Sequence, residues 1–241
     1  MTTLGFGHRG GIETAAGFGV GTWVKVCANT SAEDALLAVR AGADAVGFVF
    51  AESSRQVDAA QVAAITRVLP PMVEKIGVFG AVGFEEIVGA VRVGDLTGVQ
   101  LHGGVEMELV RRLRGRFGKG LKIIQTVHWD AQDADSAGFE AAVAEACGGR
   151  LVNALLVDSK VGKASGGTGV SFDWRTVGGM VKRACGEVRV IVAGGLTVEN
   201  VQLAVSEMGA WGADVASGVE SSPGVKDAEK VRAFVRAAKG L

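Results

Sequence analysis

The chain carries almost no net charge: 25 Lys and Arg stand against 26 Asp and Glu, a formal −1 over 241 residues. That balance argues against a broad basic surface for nucleic acid or for anionic lipid. Cysteine is scarce and odd in number, three in all, with no C-x-x-C and no Cys/His spacing suited to a metal. The expectation is a reduced, cytoplasmic protein without structural disulfides, and Cys147 and Cys185, on helical patterns, read as packing residues. No apolar run reaches the ~18 residues of a membrane span, so a soluble protein with no membrane partner is expected. Proline is nearly absent (3) while glycine is abundant (37). Many short turns explain that pair of counts better than disorder or collagen does. At 48% hydrophobic residues, the chain can fill one complete core.

Residues 1–22 are glycine-rich, without strand or helix periodicity and without the basic start and apolar centre of a signal peptide. They read as a flexible N-terminal extension, and His8 and Arg9 within it show no chemistry. From Trp23 onward, apolar β-branched runs alternate with amphipathic patterns. Strands are expected at 23–27, 44–50, 74–79, 97–101, 120–126, 151–158, 188–193 and 211–216. Helices are expected at 31–41, 58–69, 83–92, 104–117, 134–147, 173–185, 197–207 and 226–239. Alternation of this kind implies a parallel sheet, and eight units in ~250 residues favour closure into a barrel. An open doubly wound sheet would want a G-x-G-x-x-G first turn, whereas the first strand ends in Cys27-Ala28-Asn29. The fold class expected is α/β, a single (β/α)8 barrel over residues 23–241.

Barrel enzymes carry their chemistry where strands end. The last two strand ends run into Gly194-Gly195 and Ser217-Gly218. Glycine lets the backbone approach a ligand, and amide groups at a helix start attract anions, so two such turns side by side suit one phosphate. Thr197, with Asn200 to cap it, is expected to begin the helix after the first turn. Two groups able to transfer protons end other strands: Cys27 on the first and Asp158 on the sixth. Cys27 reads either as a small buried apolar residue or as a base, and Asp158 either as a loop cap or as an acid. Lys25 shares a strand face with Cys27, and Asp214 lies in the strand that meets the first on closure. An ion pair between them inside the barrel follows, because a lone interior charge is costly. Arg55 in the loop after the second strand can grip a carboxylate with two hydrogen bonds or stand in solvent. His102 has no partners at metal-ligand spacing, His128-Trp129-Asp130 reads as loop, and the glycine-rich stretch 162–169 as a lid.

In order along the chain stand K-V-C-A-N-T (25–30), A-D-A-V-G-F-V-F (43–50), S-S-R-Q-V (53–57), V-Q-L-H-G (99–103) and L-V-D-S (156–159). They are followed by G-G-T-G-V-S-F-D-W (166–174), A-G-G-L-T-V-E-N-V (193–201) and D-V-A-S-G-V-E-S-S-P-G-V-K-D (214–227). From Val24 to Leu241 this pattern resembles phosphoribosylanthranilate isomerase of tryptophan biosynthesis. The resemblance implies an Amadori rearrangement of N-(5′-phosphoribosyl)anthranilate to 1-(2-carboxyphenylamino)-1-deoxyribulose 5-phosphate. It implies Cys27 as general base and Asp158 as general acid, with Arg55 on the anthranilate carboxylate. The phosphate falls to Gly194, Gly195, Ser217 and Gly218, and Gln100 and His102 join the substrate-binding set. Neither metal nor redox cofactor is implied; the partner is a small phosphorylated sugar–anthranilate, the state monomer or homodimer. Departures from the family pattern are Ala28 in place of its glycine, Asn29 in place of an apolar residue, and Val78-Phe79-Gly80-Ala81 at the end of the third strand, where the family's polar residue is displaced. If position 28 has a positive φ, alanine strains the loop by about 1 kcal/mol or more. Two other readings compete: a histidine-pathway aminoaldose isomerase, which pairs two aspartates where this chain has Cys27, and a weakened barrel kept as a binding partner.

Overall fold

The structure, a computed structural model, describes residues 21–130, 135–160 and 173–241. Eight parallel strands close into a barrel in chain order, as the alternation predicts. They are β1 (Trp23–Val26), β2 (Ala45–Val49), β3 (Glu74–Phe79), β4 (Gly98–Leu101), β5 (Lys122–Asp130), β6 (Ala154–Lys160), β7 (Val190–Ala193) and β8 (Gly212–Val215). Between them run α1 (Ala32–Arg40), α2 (Ala59–Thr66), α3 (Phe84–Val93), α4 (Met107–Phe117), α5 (Ser136–Cys147), α6 (Trp174–Cys185) and α7 (Val201–Met208), with α8 (Ala228–Lys239) last. None of the helices among the described residues is long and apolar enough to cross a membrane. The expected lid at 162–169 and residues 1–20 of the expected extension lie outside the described residues.

The helices show why the pattern was readable. In α8 the Asp227 side chain accepts from the amides of Glu229 and Lys230, which satisfies the donors a helix start leaves open. Val231, Phe234, Val235 and Ala238 then recur at i, i+3, i+4 and i+7 and bury one face. Apolar side chains form two compartments. One fills the space between sheet and helices, with Phe48, Phe79, Ile87 and Phe234 fully buried. The other lies inside the barrel and comprises Trp23, Ala45, Ile76, Ile124, Ala154, Leu156, Ile191 and Ala193. Trp23 stacks on Trp211 at 5.1 Å between ring centroids, and the side chains of Lys122 and Arg189 lie over the pair.

Several boundaries differ from the expected ones. β5 continues past residue 126, so His128-Trp129-Asp130 is strand and not loop. Its pairing to β6 runs unbroken from Ile124↔Ala154 to Asp130↔Lys160, and Trp129 packs edge-on against Phe139 of α5. α7 begins at Val201 instead of 197: Asn200 accepts from the Thr197 amide at 2.8 Å and donates to the Gly195 carbonyl at 3.0 Å, which makes residues 197–200 a closed turn. A small antiparallel pair, β9 (Glu220–Ser222) and β10 (Val225–Lys226), precedes α8. The expected absence of disulfides is also overturned. Cys147 at the end of α5 and Cys185 at the end of α6 are joined, with Cα atoms 5.7 Å apart. Two adjacent parallel helices of equal length bring their last turns together, which linear spacing did not reveal.

Candidate active site

At the C-terminal ends of the strands lies a cavity of about 430 Å³. Cys27, Gln100, His102 and Asp158 face it together with Gly194, Gly195, Ser217 and Gly218. Eight of the nine residues singled out from the sequence therefore share one wall system. Arg55 is the exception: Glu52 and Ser53 line the cavity from its loop.

The charged floor was anticipated. Lys25 is fully buried and its Nζ donates to Asp214 Oδ2 at 2.9 Å, tying β1 to β8. The same ammonium donates to Gln100 Oε1 at 2.8 Å. Burial disfavours the lysine's charge, but the Asp214 carboxylate outweighs it and holds the amine protonated above its ordinary range. Asp214 has a second oxygen, Oδ1, that is buried without a hydrogen bond among the described residues. Gln100 is thus a cavity wall whose carbonyl is already committed to protein.

Cys27 sits directly above this floor. A side-chain carbon at Gly47 on β2 would lie 2.6 Å from its sulfur and 2.8 Å from Lys25 Cε. Glycine at 47 is what makes room for both. Burial pushes the Cys27 thiol up, with the Asp214 charge adding to it, while Lys25 and Lys226 pull the other way. After Cys27, Ala28 does adopt a positive φ of 61°. Asn29 is fully buried, and its amide donates to the carbonyls of Val26 at 2.8 Å and Gly47 at 3.1 Å. The polar residue that departs from the family pattern is a staple between β1 and β2.

Asp158 faces two imidazoles. His102 Nε2 and His128 Nδ1 each lie 3.7 Å from its Oδ2, and the two rings meet edge to face. His128 Nε2 is 3.1 Å from the His102 carbonyl oxygen. Burial and the neighbouring His128 lower the proton affinity of His102. The cluster of His102, His128 and Asp158 brings its three polar atoms within 4.8 Å of one another, which corrects the expectation that His102 lacks neighbours at ligand spacing. Sequence reasoning missed His128. The signal was present: continuing the alternation Ile124, Thr126 carries His128 to the inner face of β5.

Arg55 is neither free in solvent nor open to the cavity. Its Nε and Nη2 both bind Glu220, at 2.9 and 2.6 Å. Glu220 also accepts from Lys226 Nζ at 3.2 Å and from the Gly224 amide at 3.3 Å. Burial alone would raise this carboxyl, but Arg55 and Lys226 together hold it below the usual range. Glu220 is a second residue the sequence left unassigned. Gly194 and Gly195 have φ of 86° and 61°. A side-chain carbon at Gly218 would meet the Leu196 carbonyl oxygen at 2.0 Å. The two glycine turns are therefore in contact, side by side as expected.

The family model for N-(5′-phosphoribosyl)anthranilate (PRA) isomerase matches residues 24–237. A relative from Pelobacter propionicus, an N-(5′-phosphoribosyl)anthranilate isomerase, is 39% identical over 217 residues, 90% of this chain and 95% of its own. Another from Rubrobacter xylanophilus is 41% identical over 90% of this chain and 98% of its own. Among solved structures, the phosphoribosyl anthranilate isomerase of Thermotoga maritima superposes with a TM-score of 0.77 at 34% identity, over 91% of this chain and all (100%) of that one. A phosphoribosyl anthranilate isomerase in complex with reduced 1-(o-carboxyphenylamino)-1-deoxyribulose 5-phosphate gives 0.75 at 32% identity, with the same coverage of 91% and 100%.

Proposed function

This chain belongs to the N-(5′-phosphoribosyl)anthranilate isomerase family, and on that premise we propose how its residues divide the reaction. The protein is an isomerase of tryptophan biosynthesis. Its substrate, N-(5′-phosphoribosyl)anthranilate, sits with the phosphate against the turns at Gly194-Gly195 and Ser217-Gly218. Asp158, as general acid, protonates the ribose ring oxygen; the C1′–O bond breaks and leaves a protonated Schiff base. Cys27, as general base, then takes the C2′ proton, and those electrons form the enolamine. The enol hydroxyl loses its proton as C1′ gains one, giving the ketone. No metal or redox group enters these steps.

Cys27 must lose its own proton before it can act, and burial opposes that. The nearby ammonium groups of Lys25 and Lys226 are what favours the thiolate. Asp214 Oδ1, buried and without a partner among the described residues, is placed to accept from a sugar hydroxyl. Arg55 meets the anthranilate carboxylate by turning toward the cavity and offering Nη1, the guanidinium nitrogen that its bonds to Glu220 leave uncommitted. A cytoplasmic location rests on the biosynthetic role alone, because the Cys147–Cys185 disulfide removes the reduced-cysteine argument for it.

One observation carries the reading: a thiol, a carboxyl and two touching glycine turns face a single cavity. Decay of the substrate's fluorescence, with substrate generated in situ, tests it. Cys27→Ser and Asp158→Asn are expected to lose at least about a hundredfold in kcat, with folding intact. Wild-type turnover that survives either change nearly undiminished would sink that residue's assignment.

A further inference from the structure

Hydrogen-bond polarity around Asp158 can be followed from a fixed point. Lys25 Nζ only donates, so the Gln100 amide must turn its oxygen toward it, 2.8 Å away. The amino end of Gln100 then faces Thr126 Oγ1 at 3.3 Å and His102 Nδ1 at 3.5 Å. Because that group donates, His102 Nδ1 accepts, and the neutral ring carries its hydrogen on Nε2, toward Asp158. His128 is fixed from its other side. The His102 carbonyl only accepts, so His128 Nε2, 3.1 Å away, carries a hydrogen. In the neutral ring Nδ1 is then a bare lone pair. It is buried, without a hydrogen-bond partner among the described residues, and 3.7 Å from Asp158 Oδ2.

Two facing acceptors with nothing between them are unfavourable, and one proton removes the conflict. A metal ion would sit badly in the same place. The nitrogen that His102 would offer, Nε2, is the one that Gln100 leaves protonated.

We propose that His128 is a positioning residue for the reaction: its Nδ1 shares one proton with Asp158 and keeps the general acid loaded. This rests on the assignment of Asp158 as the acid. The pair holds one proton. In turnover the Asp158 O–H bond breaks as the substrate's ring oxygen gains that proton. The emptied pair takes a proton back from solvent, which reaches the half-buried His128 side chain. Facing His128 are His102 from β4 and Asp158 from β6. Lys25 and Asp214 lie behind them through Gln100. α5 packs on the opposite face of β5, against Trp129, where its Glu140 pairs with Arg183.

The test is the pH dependence of His128→Asn, an amide that cannot take up a proton. The variant-to-wild-type ratio of kcat/KM is expected to be about one tenth or lower near neutral pH, and to climb back toward one as the pH falls to roughly 5. KM should stay within about twofold, since His128 is not among the residues that line the cavity. A ratio that is flat across the range, or no loss at all, overturns the proposal. Nitrogen-15 spectra of the imidazoles supply a readout independent of turnover. A pyrrole-like Nε2 on His128, with an Nδ1 signal whose titration changes in Asp158→Asn, supports the shared proton. An Nδ1 that titrates identically in Asp158→Asn overturns it. Full activity in Asp158→Asn would instead remove the acid assignment itself, whatever the spectra show.

Discussion

Alanine at position 28 is a residue out of place by its own stereochemistry. Its φ of 61° is a region that costs an L side chain about 1 kcal/mol or more. Ala28→Gly is therefore expected to stabilise the fold by roughly 1 kcal/mol, raising the thermal midpoint by about 2–4 °C in calorimetry. An unchanged or lower midpoint would mean that the loop has relaxed around alanine. The consequence of a missing glycine could be read in advance, because motif position and backbone rule agree. Asn29 was legible only as an anomaly. That its amide bridges the Val26 and Gly47 carbonyls needs β2 beside it. Arg55 shows the same limit from the other side. Its guanidinium geometry announces a bidentate partner, but Glu220, 165 positions away, can be identified only once the chain is folded.

Elements were legible where periodicity was clean and uncertain where it ran out. All eight strands of the barrel stand where alternation puts them, because one face of each must be apolar toward the helices. The strand expected at 120–126 ends two residues before His128, whereas β5 runs to Asp130 and carries His128 into the site. The ends of α5 and α6 carry the larger surprise. Cys147 and Cys185 close a loop between positions 38 apart, a constraint worth up to about 4 kcal/mol in the loop-entropy account. Thiol titration of denatured chain without reductant should find one reactive group, Cys27, and three after reduction. Reduction should lower the thermal midpoint and leave kcat unchanged, since the link lies at the far end of the barrel from the cavity. Three reactive thiols without reductant would show the two helices packed but not joined.

At the scale of the molecule, two buried groups make the fold sensitive to base, opposed by Lys226, whose burial lowers its own proton affinity. Lys25 and Cys27 both hold their protons more tightly in the folded barrel than ordinary side chains do. The folded state then binds more protons than the unfolded chain at alkaline pH, so stability falls as pH rises. Both contributions are fully present below the unfolded values, about 8.5 for a thiol and about 10.4 for an amine, and are lost as pH climbs through the raised ones. Calorimetry from neutral to about pH 10 should show the wild-type midpoint falling, and falling less in Cys27→Ala. Equal slopes for the two proteins would refute the thiol's share. The seam these residues guard joins chain positions 189 apart. A ring closed by its first and last strands has no closed subset: until β8 is available, β1 has an unpaired edge and the Lys25 ammonium has no counter-charge. On a ribosome, therefore, the nascent barrel remains an open sheet with a charged, unsealed margin until nearly the last residues emerge. Interruption of synthesis late in the chain leaves a species that exposes far more than its missing length.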